Sequence, residues 1–458
     1  MKNNDFIPPL RDESQDLPKQ SKDSPSLAEG DTGGGLKAQN NSGVKFSNDK
    51  STHPLTPSAR EGVDLGLPSV RERGQVGKSH NDDKNYKRFA VCFVWSLFVA
   101  TLLGIALGFL LWLYDPFMFF HKPYFREQTY HGDMRVQARG IIDYAEFDSV
   151  ILGSSMLENT SAREAGQKLG GKWVNLSMGG AHPNVRAVVL KYLLQTKPPK
   201  RILYSFDTHS MILDNPLPAS IKPELYSDNF MVKLRYYLNK RFIKCALKWS
   251  KKSECVGNKE LENIPVDFYR RCESEAGFLN WCQYDKVKTF LLKADEIYET
   301  QEFNGSIDKS QDLLRGYILD FVRKNPHTEF HFAISAYSTF YYRVQIDDGY
   351  VPNPKQHLDK WRKILKWLVN EAQNLPNMTI YGFDNLPITN DTRNYIDHGH
   401  YRIGYPLNSI ALDSIRDRTH ILTPQNIDTY LATMESKIKN YDIAPLIAEI
   451  KAWEAQQM

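Results

Sequence analysis

Several things are scarce or missing in this chain, and each absence closes off a class of explanation. Cysteine is sparse, five in 458 residues, and no two are spaced C-x₂-C, the pattern structural zinc sites favour. No phosphate-cradling glycine loop, nucleotide motif or cluster of metal ligands stands out, so neither a cofactor nor a metal is expected. Formal net charge is only +4 over the whole chain, too small to imply a polyanionic partner, and nucleic acid is not expected. No internal repeat is visible, which sets aside solenoids and propellers. Apolar residues are thin over positions 1–86, where Pro, Gly, Ser, Asn, Lys and Asp dominate and "DTGGGLKAQNNSG" is typical. Such a segment cannot bury enough apolar surface to offset chain entropy, so 1–86 reads as a disordered tail.

Charge is what the next stretch lacks. From Phe89 to Tyr114 no Asp, Glu, Lys or Arg interrupts "FAVCFVWSLFVATLLGIALGFLLWLY", and about 20 apolar residues suffice to cross a bilayer as a helix. Trp112 and Tyr114 stand at one end, as interfacial aromatics do. Lys84, Lys87 and Arg88 precede the span, and Asp115 follows it. The positive-inside rule then expects a single-pass helix over 87–114 in the inner (plasma) membrane. The tail would be cytoplasmic and residues 120–458 periplasmic or otherwise extracytoplasmic. A cleavable signal peptide does not fit, because the run is too long and more than eighty residues precede it. The cysteines agree with that side. Cys92 lies in the span, while Cys245, Cys255, Cys272 and Cys282 fall within 38 residues of the exported part. Two disulfides are expected there, with all three pairings open and a zinc site as the competing reading.

Beyond position 120 the pattern alternates. Apolar runs at Ser149–Leu152, "KWVNLSM", "KRILYSF", "TEFHFAI" and "MTIYGF" read as five strands. Between them lie helical stretches such as "NVRAVVLKYLLQTK" and "DKWRKILKWLVNEAQ", the latter with Trp361, Ile364, Leu365, Leu368 and Val369 on one stripe. Strands joined by helices imply right-handed crossovers and a parallel sheet covered on both faces, an α/β domain. Residues 208–305 break the alternation and read as an insertion. They hold the four cysteines and one long basic helical stretch, "NFMVKLRYYLNKRFIKCALKWSKK", whose face could meet lipid headgroups, an anionic polymer or simply solvent.

In such a sheet reactive groups gather at the carboxyl ends of the strands. Those ends carry Gly153-Ser154-Ser155, then Gly179-Gly180, then Asp207-Thr208-His209, then Tyr337-Ser338, and after the fifth strand "NYIDHGHYRIG". A serine nucleophile needs a base, a group to orient the base, and donors where an oxyanion forms. Ser155, His400 and Asp397 can supply the first three, and the backbone N–H groups of Ser155 and Gly180 the donors. Ser154 is the alternative serine, and the two-residue hydroxyl step is also an ordinary strand-to-helix turn. A second Asp-x-x-His, Asp417 to His420, lies beyond the next helical stretch, where a surface role fits better. Tyr337, Phe340, Tyr341 and Tyr342 either stack on a sugar or pack a core.

The blocks Gly153-Ser154-Ser155-Met156, Asn175-Leu176-Ser177-Met178-Gly179-Gly180 and Asp397-x-x-His400 resemble, in order, those of the SGNH/GDSL hydrolase superfamily. They are similar above all to its membrane-anchored bacterial members, among them alginate O-acetylation and lipoteichoic-acid D-alanylation proteins. The resemblance spans roughly residues 145–420, leaves the insertion unmatched, and implies a flavodoxin-like three-layer α/β/α fold. It assigns Ser155 as nucleophile, His400 as base, Asp397 as its partner and Gly180 as an oxyanion donor. The implied activity is that of a serine esterase or O-acyltransferase on a cell-envelope glycan, beside a membrane partner that exports the acyl group. Two departures stand out. Gly-Ser-Ser replaces Gly-Asp-Ser, and the Gly-x-Asn-Asp block that carries an oxyanion asparagine is absent, with Asp207 standing after strand three. Thr208 or Asn184 would have to substitute, or the chain is a catalytically inactive binding or assembly component of an envelope complex.

Overall fold

The computed structural model describes residues 80–458 except 217, 219, 263–276, 283, 295–298, 346–352 and 458. Most of the tail expected over 1–86, and Cys272, lie outside the described residues. The chain divides into two units, Met1–Val94 and Trp95–Met458.

Five short runs rich in β-branched and bulky aliphatic side chains form the strands: β1 (Ser149–Leu152), β2 (Trp173–Asn175), β3 (Arg201–Phe206), β4 (Glu329–Ile334) and β5 (Met378–Tyr381). All pair in parallel, in the order β2-β1-β3-β4-β5. Alternation along each strand divides the side chains between two cores. Val150, Leu152, Ile202, Tyr204, Phe330 and Phe332 enter one, and Ile151, Leu203, Ala333 and Tyr381 the other. The fold is therefore α/β with a five-stranded parallel sheet buried on both faces, as the near-continuous apolar runs require.

Helices supply the cover. They begin with α1 (His80–Tyr114), which is long and apolar enough, over Lys84–Tyr114, to cross a membrane. Then come α2 (Met134–Tyr144), α3 (Ser155–Glu158), α4 (Ala162–Leu169), α5 (Pro183–Thr196) and α6 (Thr208–Met211). The stripe Trp361, Ile364, Leu365, Leu368 and Val369 is fully buried on the helix Pro354–Ala372. Within the insertion the basic stretch is not one helix. It breaks into α7 (Phe230–Tyr237) and α8 (Lys240–Leu247), because the Asn239 side chain accepts from the Phe242 N–H at 3.1 Å and starts a new helix. Cys245 and Cys255 form a disulfide, and Cys282 is also disulfide-bonded.

Reversal of the strand order between β1 and β3 opens a crevice at their carboxyl ends, where a doubly wound sheet places its ligands. Ser155 is delivered to this edge, whereas Ser154, Asp207, Thr208, Tyr337 and Ser338 are buried.

Candidate functional site

The turn after β1 ends in α3, and the small residues there are differentiated by what they bond. Ser154 is the N-cap: its Oγ accepts from the Met156 N–H at 3.2 Å and donates to Asp207 Oδ1 at 2.8 Å, and the residue is buried. Its hydroxyl is therefore committed. Ser155, the first residue of α3, points the other way, and its Oγ lies 2.8 Å from His400 Nε2.

His400 comes from a hairpin 245 residues further along. Tyr395 and Tyr401 pair antiparallel, and the Ile396 N–H donates to the His400 carbonyl at 2.9 Å, closing residues 396–400 into a tight loop. Two tyrosine hydroxyls bolt the loop to the end of β4: Tyr395 donates to the Ala336 carbonyl at 2.8 Å, and Tyr401 accepts from the Ala336 N–H at 2.6 Å. Inside the loop Asp397 is buried. Its Oδ1 accepts from the N–H groups of Gly399 (2.8 Å) and His400 (2.7 Å), and its Oδ2 lies 2.7 Å from His400 Nδ1.

Electrostatics assign the tautomer. Burial alone would raise the Asp397 pKa, but His400, the nearby His398 and the backbone N–H groups outweigh it and hold the carboxyl well below its ordinary value. An ionised carboxylate only accepts, so Nδ1 of His400 carries the proton and Nε2 accepts from the Ser155 hydroxyl. Burial would lower the imidazole, yet Asp397 raises it above the ordinary histidine value. The imidazole keeps 27 % of its surface exposed while the Asp397 side chain keeps 2 %. A hydroxyl bonded to an imidazole that a buried carboxylate orients from behind can be activated as a nucleophile.

Gly180 sits on the same edge with φ +62°, a left-handed conformation that glycine adopts without strain, and no heavy atom approaches its Cβ position within 4 Å. Two charged side chains hold the peptide next to it. The Gly179 N–H donates to Glu158, one turn after Ser155 on α3, and Arg135 of α2 donates to the Gly179 carbonyl. Burial raises Glu158 to about 7, against the pull of the Gly179 N–H, His400 and Arg135. Neither residue was anticipated from the sequence, where a lone Glu in a helix start and an Arg upstream of the first strand carry no signal.

Asp207 departs from its expected place. It does not face the open edge but is fully buried, joined to Arg186 Nη2 (3.0 Å) and to the hydroxyls of Ser154, Ser205 and Ser335. Its carboxylate is paired internally with Arg186, although its charge still helps to raise His400. Thr208 is likewise fully buried, beside Tyr342, and leaves Asn184, at the first turn of α5, as the remaining sequence-suggested side-chain donor. Tyr337, Phe340, Tyr341 and Tyr342 are core residues, at most 6 % exposed, and offer no stacking platform. Instead Tyr337 Oη lies 2.9 Å from His209 Nδ1. His420 is exposed and outside this cluster. Among the described residues no group of His, Cys, Asp and Glu is arranged to hold a metal ion.

No protein-family profile and no curated protein matches the chain. A solved structure from Streptococcus pneumonia, provisionally described as a platelet activating factor, aligns over 62 % of this chain and 91 % of its own at 13 % identity and a TM-score of 0.33. A likeness of that size bears on neither fold nor activity.

Proposed function

We propose that the chain is a membrane-anchored serine esterase or O-acyltransferase of SGNH/GDSL type, acting on an acylated glycan of the cell envelope. The observation that carries the reading is the continuous relay from Ser155 Oγ through the two nitrogens of His400 to the buried Asp397, with contacts of 2.8 and 2.7 Å. In the first half-reaction Ser155 Oγ attacks the ester carbonyl carbon as its proton passes to His400 Nε2. The tetrahedral intermediate collapses when that proton moves to the departing alkoxide, leaving an acyl-serine. The acceptor oxygen, from water for hydrolysis or a sugar hydroxyl for transfer, then attacks the acyl carbon as its proton passes to His400 Nε2, and the bond to Ser155 Oγ breaks as that proton returns to Oγ. The N–H groups of Ser155 and Gly180 are the assigned oxyanion donors. Asp397 orients His400 and stabilises its charged form.

The apolar helix and the disulfide support an inner-membrane anchor with the site on the oxidising side. A membrane protein that exports the acyl group is the natural partner of the transfer reaction. One observation favours a second reading, an inactive binding or assembly component: no asparagine stands after β3, where Asp207 is internal. A fluorophosphonate probe separates the two. Labelling that is lost in Ser155→Ala and kept in Ser154→Ala is the outcome expected of the enzyme. An unlabelled wild type that also turns over no acylated glycan or aryl ester would leave the inactive component.

A further inference from the structure

The insertion raises a question that catalysis does not answer: why its two basic helices expose apolar side chains. On α7 Phe230 and Leu234 lie at i and i+4, and Phe230, Met231 and the C-cap residue Leu238 are 48, 64 and 50 % exposed. On α8 the buried face is Phe242, Cys245 and Ala246, while Lys240, Lys244, Leu247 and Lys248 point outward, with Leu247 68 % exposed. Between Phe230 and Lys252 there are eight Lys or Arg residues and no Asp or Glu. An apolar stripe bordered by cations is the composition of a helix lying in a membrane interface.

Placement makes the argument specific. Leu234 reaches within 3.7 Å of where a Cβ on Gly108 of α1 would stand. Gly108 is six residues before Tyr114, about 9 Å along a helix rising 1.5 Å per residue. The uncharged run Phe89–Tyr114 spans about 39 Å at that rise, and a hydrocarbon core is about 30 Å thick; with the surplus of about 9 Å taken at the exit end, Gly108 lies near the hydrocarbon boundary. Leu234 is at the same depth, and interfacial helices bury their apolar faces about 5–10 Å into this boundary. The junction is firmly held. Tyr237 of α7 donates to Asp115 Oδ1 at 2.6 Å, and the same carboxylate accepts from the N–H groups of Phe119, Phe120 and His121 just past the α1 exit. The Tyr114 hydroxyl donates to the Ser250 carbonyl at 2.5 Å, and its ring meets Trp249 beyond the end of α8.

From this geometry we infer that α7 and α8 form a lipid-facing platform. It is continuous with the membrane helix, seats its apolar stripe at the acyl boundary, and binds anionic phospholipid headgroups through Lys240, Lys244 and Lys248. The inference rests on α1 crossing a bilayer, but not on the esterase reading. Its consequence is a fixed height and tilt of the α/β domain over the membrane.

The test uses the full chain reconstituted in vesicles of phosphatidylcholine with or without phosphatidylglycerol. Cys92, which is exposed and outside any disulfide, takes an environment-sensitive fluorophore in the wild type and reports insertion of α1. Met231→Cys in a Cys92→Ser background takes the same fluorophore at the platform. Quenching at position 231 by lipids nitroxide-labelled high on the acyl chain, with at least severalfold protection from aqueous iodide, is expected. Lys240→Glu with Lys244→Glu and Lys248→Glu should reduce the phosphatidylglycerol-dependent part of that quenching severalfold. If position 92 is quenched by lipid while position 231 is open to iodide and blind to the nitroxide, the platform is refuted and the catalytic reading is untouched. If position 92 is not quenched either, α1 is not in the bilayer and the inference falls with its premise. Loss of fluorophosphonate labelling at Ser155 would strike only the proposed function.

Discussion

Replacing Asp207 by Asn tests whether the group after β3 is a structural hub and not part of the reacting edge. The carboxylate and the Arg186 guanidinium are both at 0 % side-chain exposure, joined at 3.0 Å, and Arg186 also donates to the Ser205 carbonyl and hydroxyl. Removing one charge of a buried pair leaves the other uncompensated, at a cost of about 3–5 kcal/mol. Asn keeps one acceptor for the Ser154 and Ser335 hydroxyls, so the lower end applies, about 3 kcal/mol. At about 2–4 °C per kcal/mol this is a fall in Tm of roughly 6–12 °C, read by near-UV circular dichroism on the detergent-solubilised chain. Burial alone would raise Asp207, but Arg186, His209 and the two serines outweigh it and hold the carboxyl below its ordinary value. A depressed carboxylate contributes stability above its unfolded pKa, about 3.9, and loses it as pH falls through the folded value. The deficit should therefore be full near neutrality and shrink below about pH 4. Ser154 keeps its acceptor, so kcat of the folded protein should change little. A shift under about 2 °C at neutral pH, with unfolding still cooperative, would refute the hub.

Further outcomes follow from the same contacts. Asp397→Asn should lower kcat about 10⁴-fold with little change in folding, because His400 loses the acceptor that fixes its tautomer. His400 must be neutral to act and is raised by Asp397, so activity in the wild type should climb with pH through a midpoint above about 6.5, and the residual activity of Asp397→Asn through a lower one, as a kcat–pH profile will record. Glu158 is raised to about 7, so its proton stabilises the fold at low pH and that contribution is lost as pH rises from the unfolded value, about 4.3, to 7. Glu158→Gln should then gain up to roughly 3 kcal/mol on the wild type between pH 5 and 8 in denaturant titrations, and no gain would refute the buried carboxyl. Cys245→Ser with Cys255→Ser opens a loop of sequence separation 10 and should cost about 2–3 kcal/mol, measured as a fall in Tm.

What was legible in the sequence was whatever depends on short-range pattern. Apolar runs of four to six residues ending in Gly, Ser or Asp marked the strands β1 to β5. The stripe from Trp361 to Val369 marked a helix at the right period. A further step came from a topological rule: parallel strands send their carboxyl ends to one edge, so Ser155 and His400 could be expected together although 245 residues separate them. Helix α2 was not foreseen, because "MRVQARGIIDY" places Gln137 and Arg139 among its buried residues and so lacks a clean apolar face. The single basic helix expected across α7 and α8 failed at Asn239, where a side-chain cap outweighed the run of helix formers.

The chemistry of the rim shows where such pattern stops. Asp207 and Ser154 both looked like edge groups, and each was removed from the edge by a partner that no local spacing announces. For Asp207 that partner is Arg186 on α5, together with Ser335 beyond β4; for Ser154 it is Asp207 itself. The consequence for mechanism is direct. The carboxylate is paired internally with Arg186 and does not face the open edge. On the proposed reading the Ser155 and Gly180 backbone N–H groups are the donors, and the neighbouring Gly179 is held by Arg135 and Glu158. Arg135 also donates to Ser220 of the insertion at 3.0 Å, and α2 follows the segment that leaves α1. Arg135 thus links the Gly179 peptide to the insertion.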